Sequence, residues 1–90
     1  MAKTLIVGNW KAYVTSLKDA KKLLKDIEKG LPKVLKAEVV VCPSHVFLGP
    51  LKSTYSGKRI SFGAQDAFYE NGAHTGETTS SMLRDLKIPY

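Results

Sequence analysis

A single cysteine, Cys42, stands in the chain, so no internal disulfide can brace it. Scarce cysteine points to a reducing compartment, and the chain reads as cytoplasmic. No apolar run approaches the ~18 residues that a membrane helix needs, so no membrane partner is expected. Residues 1–15 lack the apolar core and small-residue cleavage site of a secretory leader. Cys42, His45 and His74 lack the spacing of zinc ligands, and no metal is expected. Gly8-Asn9-Trp10-Lys11 lacks the glycine-to-lysine spacing of a P-loop. Asp66, Glu70 and Glu77 are scattered along one segment and do not form a clear acid/base pair.

Acidic residues are also few. Eight carboxylates face 14 Lys and Arg, for a net charge of +6. That excess invites a nucleic-acid reading, which would show as steeply salt-dependent binding. Most of it falls in one segment, however. Lys18, Lys21, Lys22, Lys25, Lys29, Lys33 and Lys36 are interleaved with Asp19, Asp26 and Glu28. Such mixing is the signature of a solvated helix face rather than a phosphate-binding stripe, so no nucleic-acid partner is expected.

Ninety residues suit one domain, 1–90, which buries roughly 60–65% of the surface its unfolded chain exposes. Residues 4–8 are apolar and β-branched and predict a strand buried on both faces. Thr15-Ser16 supplies a cap. Leu17, Ala20, Leu23, Leu24 and Ile27 then follow at helical spacing until Gly30 and Pro32 end the run. Residues 38–42 predict a second buried strand, closed by Pro43. Ser44 can cap a short turn, and Pro50 suits the first turn of a brief helix over about 50–56. A third strand is predicted over 60–65, a long loop over 66–78, and a third helix over 79–86. The order βαβαβα, with continuously apolar strands, indicates a parallel sheet with right-handed crossovers. Three parallel strands leave two open edges, so further strands or a partner are expected beside them.

Asn9 and Lys11 stand two residues apart at the carboxyl end of the first strand. Extended backbone would project both to one side. Ligands of α/β proteins bind at this end of the sheet, and lysine offers a compact positive charge to phosphate or carboxylate. The loop over 66–78 is long for a connection of strand to helix, where 2–6 residues are usual. Such loops carry function or pack on a neighbour, and Phe68 and Tyr69 could anchor one.

Two motifs together name a family. Gly8-Asn9-Trp10-Lys11 after the first strand, with Gly63-Ala64-Gln65 and Thr75-Gly76-Glu77 after the third, resembles the triosephosphate isomerases. Val39-Val40-Val41-Cys42-Pro43 resembles the family's second strand and Ser81-Met82-Leu83-Arg84-Asp85-Leu86 its third helix. The resemblance runs from about Leu5 to Tyr90. It implies an α/β fold, the (β/α)8 TIM barrel, of which these residues are the first three βα units. It also implies interconversion of dihydroxyacetone phosphate and glyceraldehyde 3-phosphate by proton transfer, without a cofactor. This family is itself the standard case of a glutamate base paired with a neutral histidine electrophile. Both follow later strands, so these ninety residues alone are expected to show negligible isomerisation.

What the resemblance implies for this segment is narrower. Lys11 is the catalytic residue, offsetting charge on the substrate phosphate and the enediolate-like transition state. Asn9 joins it in binding the triose phosphate. Thr75 marks the tip of a loop that enters a neighbouring subunit, with Gln65 and Glu77 near that contact, so a homodimer through 66–78 is implied, with the remaining barrel segment as a further partner. Ala12-Tyr13 stands where Met-Asn is frequent. The reading from a different class is a non-catalytic assembly fragment that pairs through its sheet edges.

Overall fold

The computed structural model describes residues 3–90, so the first two residues of the expected unit lie outside the described residues. The chain forms β1 (Thr4–Asn9), α1 (Leu17–Gly30), β2 (Ala37–Cys42), α2 (His45–Thr54), β3 (Ile60–Phe62) and α3 (Ser80–Asp85). The strands make one parallel sheet in the order β1-β2-β3, with Ile6 opposite Val39 and Val39 opposite Ile60. The βαβαβα order and the parallel pairing are those expected from the sequence.

Helix α1 follows its apolar periodicity. The Ser16 hydroxyl accepts from the Asp19 N–H at 3.1 Å, satisfying one of the donors a helix start leaves free. Ala20 and Leu24 are buried, while Leu17, Leu23 and Ile27 pack at the margin of the same core. The lysines Lys18, Lys21, Lys22, Lys25 and Lys29 lie on the exposed side, where Lys22 pairs with Asp26 one turn on at 2.9 Å. That contact raises the Lys22 pKa and lowers that of Asp26. Both groups are solvated, so the pair contributes little to stability.

Helix α2 departs from the expectation. It starts at His45 rather than near residue 50, and Pro50 sits inside it. Proline there removes the bond to the carbonyl four residues back, which belongs to the exposed Val46 and can turn to water. The helix persists because Leu48 and Leu51 are fully buried, and such burial outweighs one missing bond. Strand β3 is also shorter than expected, ending at Phe62, because the following residues leave the sheet direction to build the site described below.

The core lies on one face of the sheet, between β2, β3 and the helices. It gathers Trp10, Ala20, Leu24, Val41, Leu48, Leu51, Ile60, Phe62, Leu83 and Ile88. The expectation that β1 is buried on both faces does not hold. All six of its residues are exposed, with Leu5, Ile6 and Val7 about half accessible. β1 is an edge of the sheet, pairing only with β2 among the described strands, and none of its residues joins the core cluster, whereas β3, the other edge, contributes Ile60 and Phe62 to it.

Two latches fix the ends of the helices. Arg59 donates to the carbonyls of Glu28 at 2.8 Å and Pro32 at 2.6 Å, and its Nε lies 3.5 Å from the Glu28 carboxylate. Tyr55 donates to the same carboxylate at 3.2 Å, and its oxygen accepts the Ile60 N–H. After α3, Lys87 takes a φ of +58°, while Lys87 N–H and Ile88 N–H donate to the carbonyls of Arg84 and Leu83. This is a Schellman ending in which lysine occupies the place glycine usually takes. The buried pair Leu83 and Ile88 closes it.

Candidate functional site: the carboxyl end of the sheet

Strand β1 stops at Asn9 because the chain turns. Tyr13 N–H donates to the Trp10 carbonyl at 3.3 Å, and Lys11 within this turn has a φ of +52°. Extended alternation therefore does not bring Asn9 and Lys11 together, contrary to expectation. A local hydrogen bond does so instead: Asn9 Oδ1 accepts the Lys11 N–H at 2.8 Å. Asparagine suits this, since its side chain readily closes a turn on the N–H two residues later. Trp10 between them points away into the core and is buried, and its backbone N–H donates to the Cys42 carbonyl at 3.0 Å. The indole anchors the turn from beneath.

A positive φ on a residue with a Cβ costs of order 1–3 kcal/mol and persists only where the surroundings hold it. Here they do so at both peptide groups of Lys11. Its N–H is held by Asn9. Its carbonyl accepts from Gln65 Nε2 at 2.8 Å and from Ser44 Oγ at 3.1 Å. Gln65 Nε2 also donates to the Cys42 carbonyl at 3.0 Å, tying the turn to the end of β2. Three segments, after β1, β2 and β3, thus converge on one lysine backbone.

The convergence borders an open cavity of about 580 Å3 lined by Asn9, Lys11, Ala12, His45, Gln65 and Asp66. Lys11 is exposed there, and among the described residues its side chain has no salt bridge. His45, at the start of α2, reaches Asp66 at 3.0 Å from the carbonyl and 3.2 Å from the carboxylate. The cavity therefore presents one unpaired ammonium, with the neighbouring carboxylate turned towards a histidine.

The structure brings Asn9, Lys11 and Gln65 together and places Thr75 and Glu77 elsewhere. Gln65, expected near a subunit contact, directs its amide inward to Lys11 and Cys42. Thr75 and Glu77 are exposed on the loop after β3. That loop is braced internally: Phe68 N–H donates to the Thr78 carbonyl at 2.8 Å, His74 bonds Glu70 at 2.9 Å, and Phe68 stacks against His74 and Tyr69. The bracing leaves Tyr69 exposed. Sequence reasoning did not find Ser44, His45 or Asp66 as site residues. Ser44 reads as a helix cap, and nothing in the spacing links it to a lysine 33 residues earlier. No cluster of metal-ligating side chains occurs among the described residues, and no described helix is long and apolar enough to cross a membrane.

The family model described as Triosephosphate isomerase matches residues 4–90. The chain belongs to the triosephosphate isomerase family. Among similar proteins, the triosephosphate isomerase of Moorella thermoacetica is 42% identical over 91 residues, covering all of this chain and 36% of that protein. The one from Clostridium perfringens strain SM101 is 43% identical and that from Carboxydothermus hydrogenoformans 37%, each over the same share. The chain thus spans about a third of the length of the curated relatives it matches. Its three parallel βα units are the corresponding part of a TIM barrel.

Proposed function

We propose that this chain supplies the lysine side of a triosephosphate isomerase active site, and that the protein it belongs to interconverts dihydroxyacetone phosphate and glyceraldehyde 3-phosphate. The observation that carries this is the Lys11 backbone, held at positive φ from both sides at the carboxyl end of a family sheet. Strain of that kind, over-determined by its surroundings, collects at functional positions.

In this reading the Lys11 ammonium binds the dianionic phosphate and stays close enough to offset charge that develops on the substrate oxygen as a carbon-bound proton leaves. A fixed charge aimed at developing charge lowers the barrier without reorganising. Asn9 spends its oxygen on the Lys11 N–H, so its amide NH2 is left to donate to the substrate. Proton transfer itself falls to a base and an electrophile outside these ninety residues.

Partners follow the same reading. The exposed faces of β1 suit cover by the remaining barrel strands, and the exposed Thr75, with Glu77 beside it on a self-braced loop, suits insertion into a second subunit. The compartment in this reading is the cytoplasm. The test is isomerase turnover by the full-length protein, wild type against Lys11→Met. Loss of a preorganised electrostatic donor lowers kcat by about 10²–10³-fold. Turnover unchanged in the variant would remove Lys11 from the site. The assembly-fragment reading rests on the same open β1 edge. It predicts that the chain stays associated with itself in light scattering while turnover is absent even from the full-length protein.

A further inference from the structure

Ser44 occupies the N-cap position of α2, yet its side chain makes no capping hydrogen bond. Serine is favoured there because its oxygen accepts an N–H from the first turn. The same chain shows that ordinary use at Ser16, which accepts from Asp19 N–H at 3.1 Å. At Ser44 the hydroxyl instead donates across 33 residues of sequence to the Lys11 carbonyl at 3.1 Å. A capping residue has been diverted from its helix to a turn on another strand.

The diversion falls at an informative place. Rotation about the two backbone bonds flanking Cα sets the direction in which the lysine side chain leaves the chain, and its own torsions set its course beyond that. Asn9 Oδ1 fixes the peptide on the amino side, and Ser44 with Gln65 fixes the one on the carboxyl side. A carbonyl oxygen has two lone pairs, and these two donors fill both. Gln65 is shared with the Cys42 carbonyl, whereas the Ser44 hydroxyl serves Lys11 and no other acceptor among the described residues. The held backbone thus fixes where the side chain leaves the turn, and the flexible stem carries the ammonium from that point.

We propose that Ser44 is a positioning residue for Lys11: its hydroxyl, released from helix capping, holds the Lys11 carbonyl and so fixes the turn from which the lysine side chain reaches the cavity. The inference rests on the reading of Lys11 as a phosphate-binding lysine. A second consequence is that α2, lacking this cap, depends on the burial of Leu48 and Leu51 instead.

The experiment uses the full-length protein with lysine carbonyls labelled, as wild type, Ser44→Ala and Ser44→Thr. It reads the Lys11 carbonyl resonance, amide exchange in α2, and affinity for glycerol 3-phosphate as the probe. Ser44→Ala is expected to shift the Lys11 carbonyl, weaken the probe about three- to tenfold, the worth of one hydrogen bond, and leave α2 exchange unchanged. Ser44→Thr, which keeps the hydroxyl, restores the first two. A Lys11 carbonyl that does not move in Ser44→Ala overturns the proposal, as does faster α2 exchange with unaltered probe affinity, which marks an ordinary cap. Failure of the wild type to bind the probe refutes the phosphate reading alone, since the Lys11 resonance still decides the contact.

Discussion

Replacing Gln65 tests the site's architecture through stability, independently of catalysis. In the native structure its amide donates to the carbonyls of Lys11 at 2.8 Å and Cys42 at 3.0 Å. Gln65→Ala removes both bonds, each worth about 0.5–1.5 kcal/mol net. Neither acceptor is left bare, because Lys11 keeps Ser44 and Cys42 keeps the Trp10 N–H. The loss should therefore sit at the lower part of the sum, about 1–2 kcal/mol. With a urea slope near 1 kcal/mol/M for a chain of this size, the midpoint falls by roughly 1–2 M. Gln65→Glu is the sharper variant. A carboxylate cannot donate, and its oxygens would face two carbonyl oxygens, so at neutral pH it should be less stable than Gln65→Ala. Those neighbours favour the neutral acid and raise its folded pKa above the ordinary ~4.3. The native state then binds the proton more tightly than the unfolded chain, so stability rises as pH falls through the folded value. The penalty relative to Gln65→Ala should shrink accordingly. Urea unfolding followed by Trp10 fluorescence reads both variants. Identical midpoints for the two across about pH 4–8 would refute the idea that Gln65 works as a double donor.

Three other outcomes follow from local geometry. Ser16→Ala removes the one side-chain cap on α1 and should cost about 1 kcal/mol, read as a lower melting temperature. Lys87→Gly relieves a positive φ that costs a side chain roughly 1–2 kcal/mol, less the extra entropy of unfolded glycine, and should stabilise by about 0.5–1 kcal/mol in the same assay. Burial first, and then the Glu28 carboxylate, hold the Tyr55 pKa above its ordinary value of 10.0. The contribution to stability is therefore complete below about 10 and is lost as pH rises through the higher folded value. A phenolate titration by ultraviolet absorbance should find Tyr55 ionising later than a free tyrosine side chain, and a Tyr55 that ionises like the free phenol would contradict its placement.

The parts of the fold that were legible in the sequence are those set by local chemistry. Alternating apolar strands and helices gave the parallel order, and Ser16 with the leucine spacing gave α1. The exposure of β1 was not legible, because an apolar strand reads the same whether or not other elements cover its faces. The start of α2 was hidden by Pro50, whose usual first-turn place was overridden by the burial of Leu48 and Leu51. At the site, Asn9 and Lys11 were visible from their position after a strand. The contacts that hold Lys11 were not, since Ser44 and Gln65 reach it from 33 and 54 residues away, and only the folded sheet brings them together.

The most direct test of the account is the affinity of the full-length protein for glycerol 3-phosphate, wild type against Lys11→Met, measured by calorimetry. A charge-assisted contact is worth about 1.5–3 kcal/mol. The account therefore predicts binding weakened by roughly ten- to a hundredfold in the variant. Equal affinity in the two proteins would contradict it.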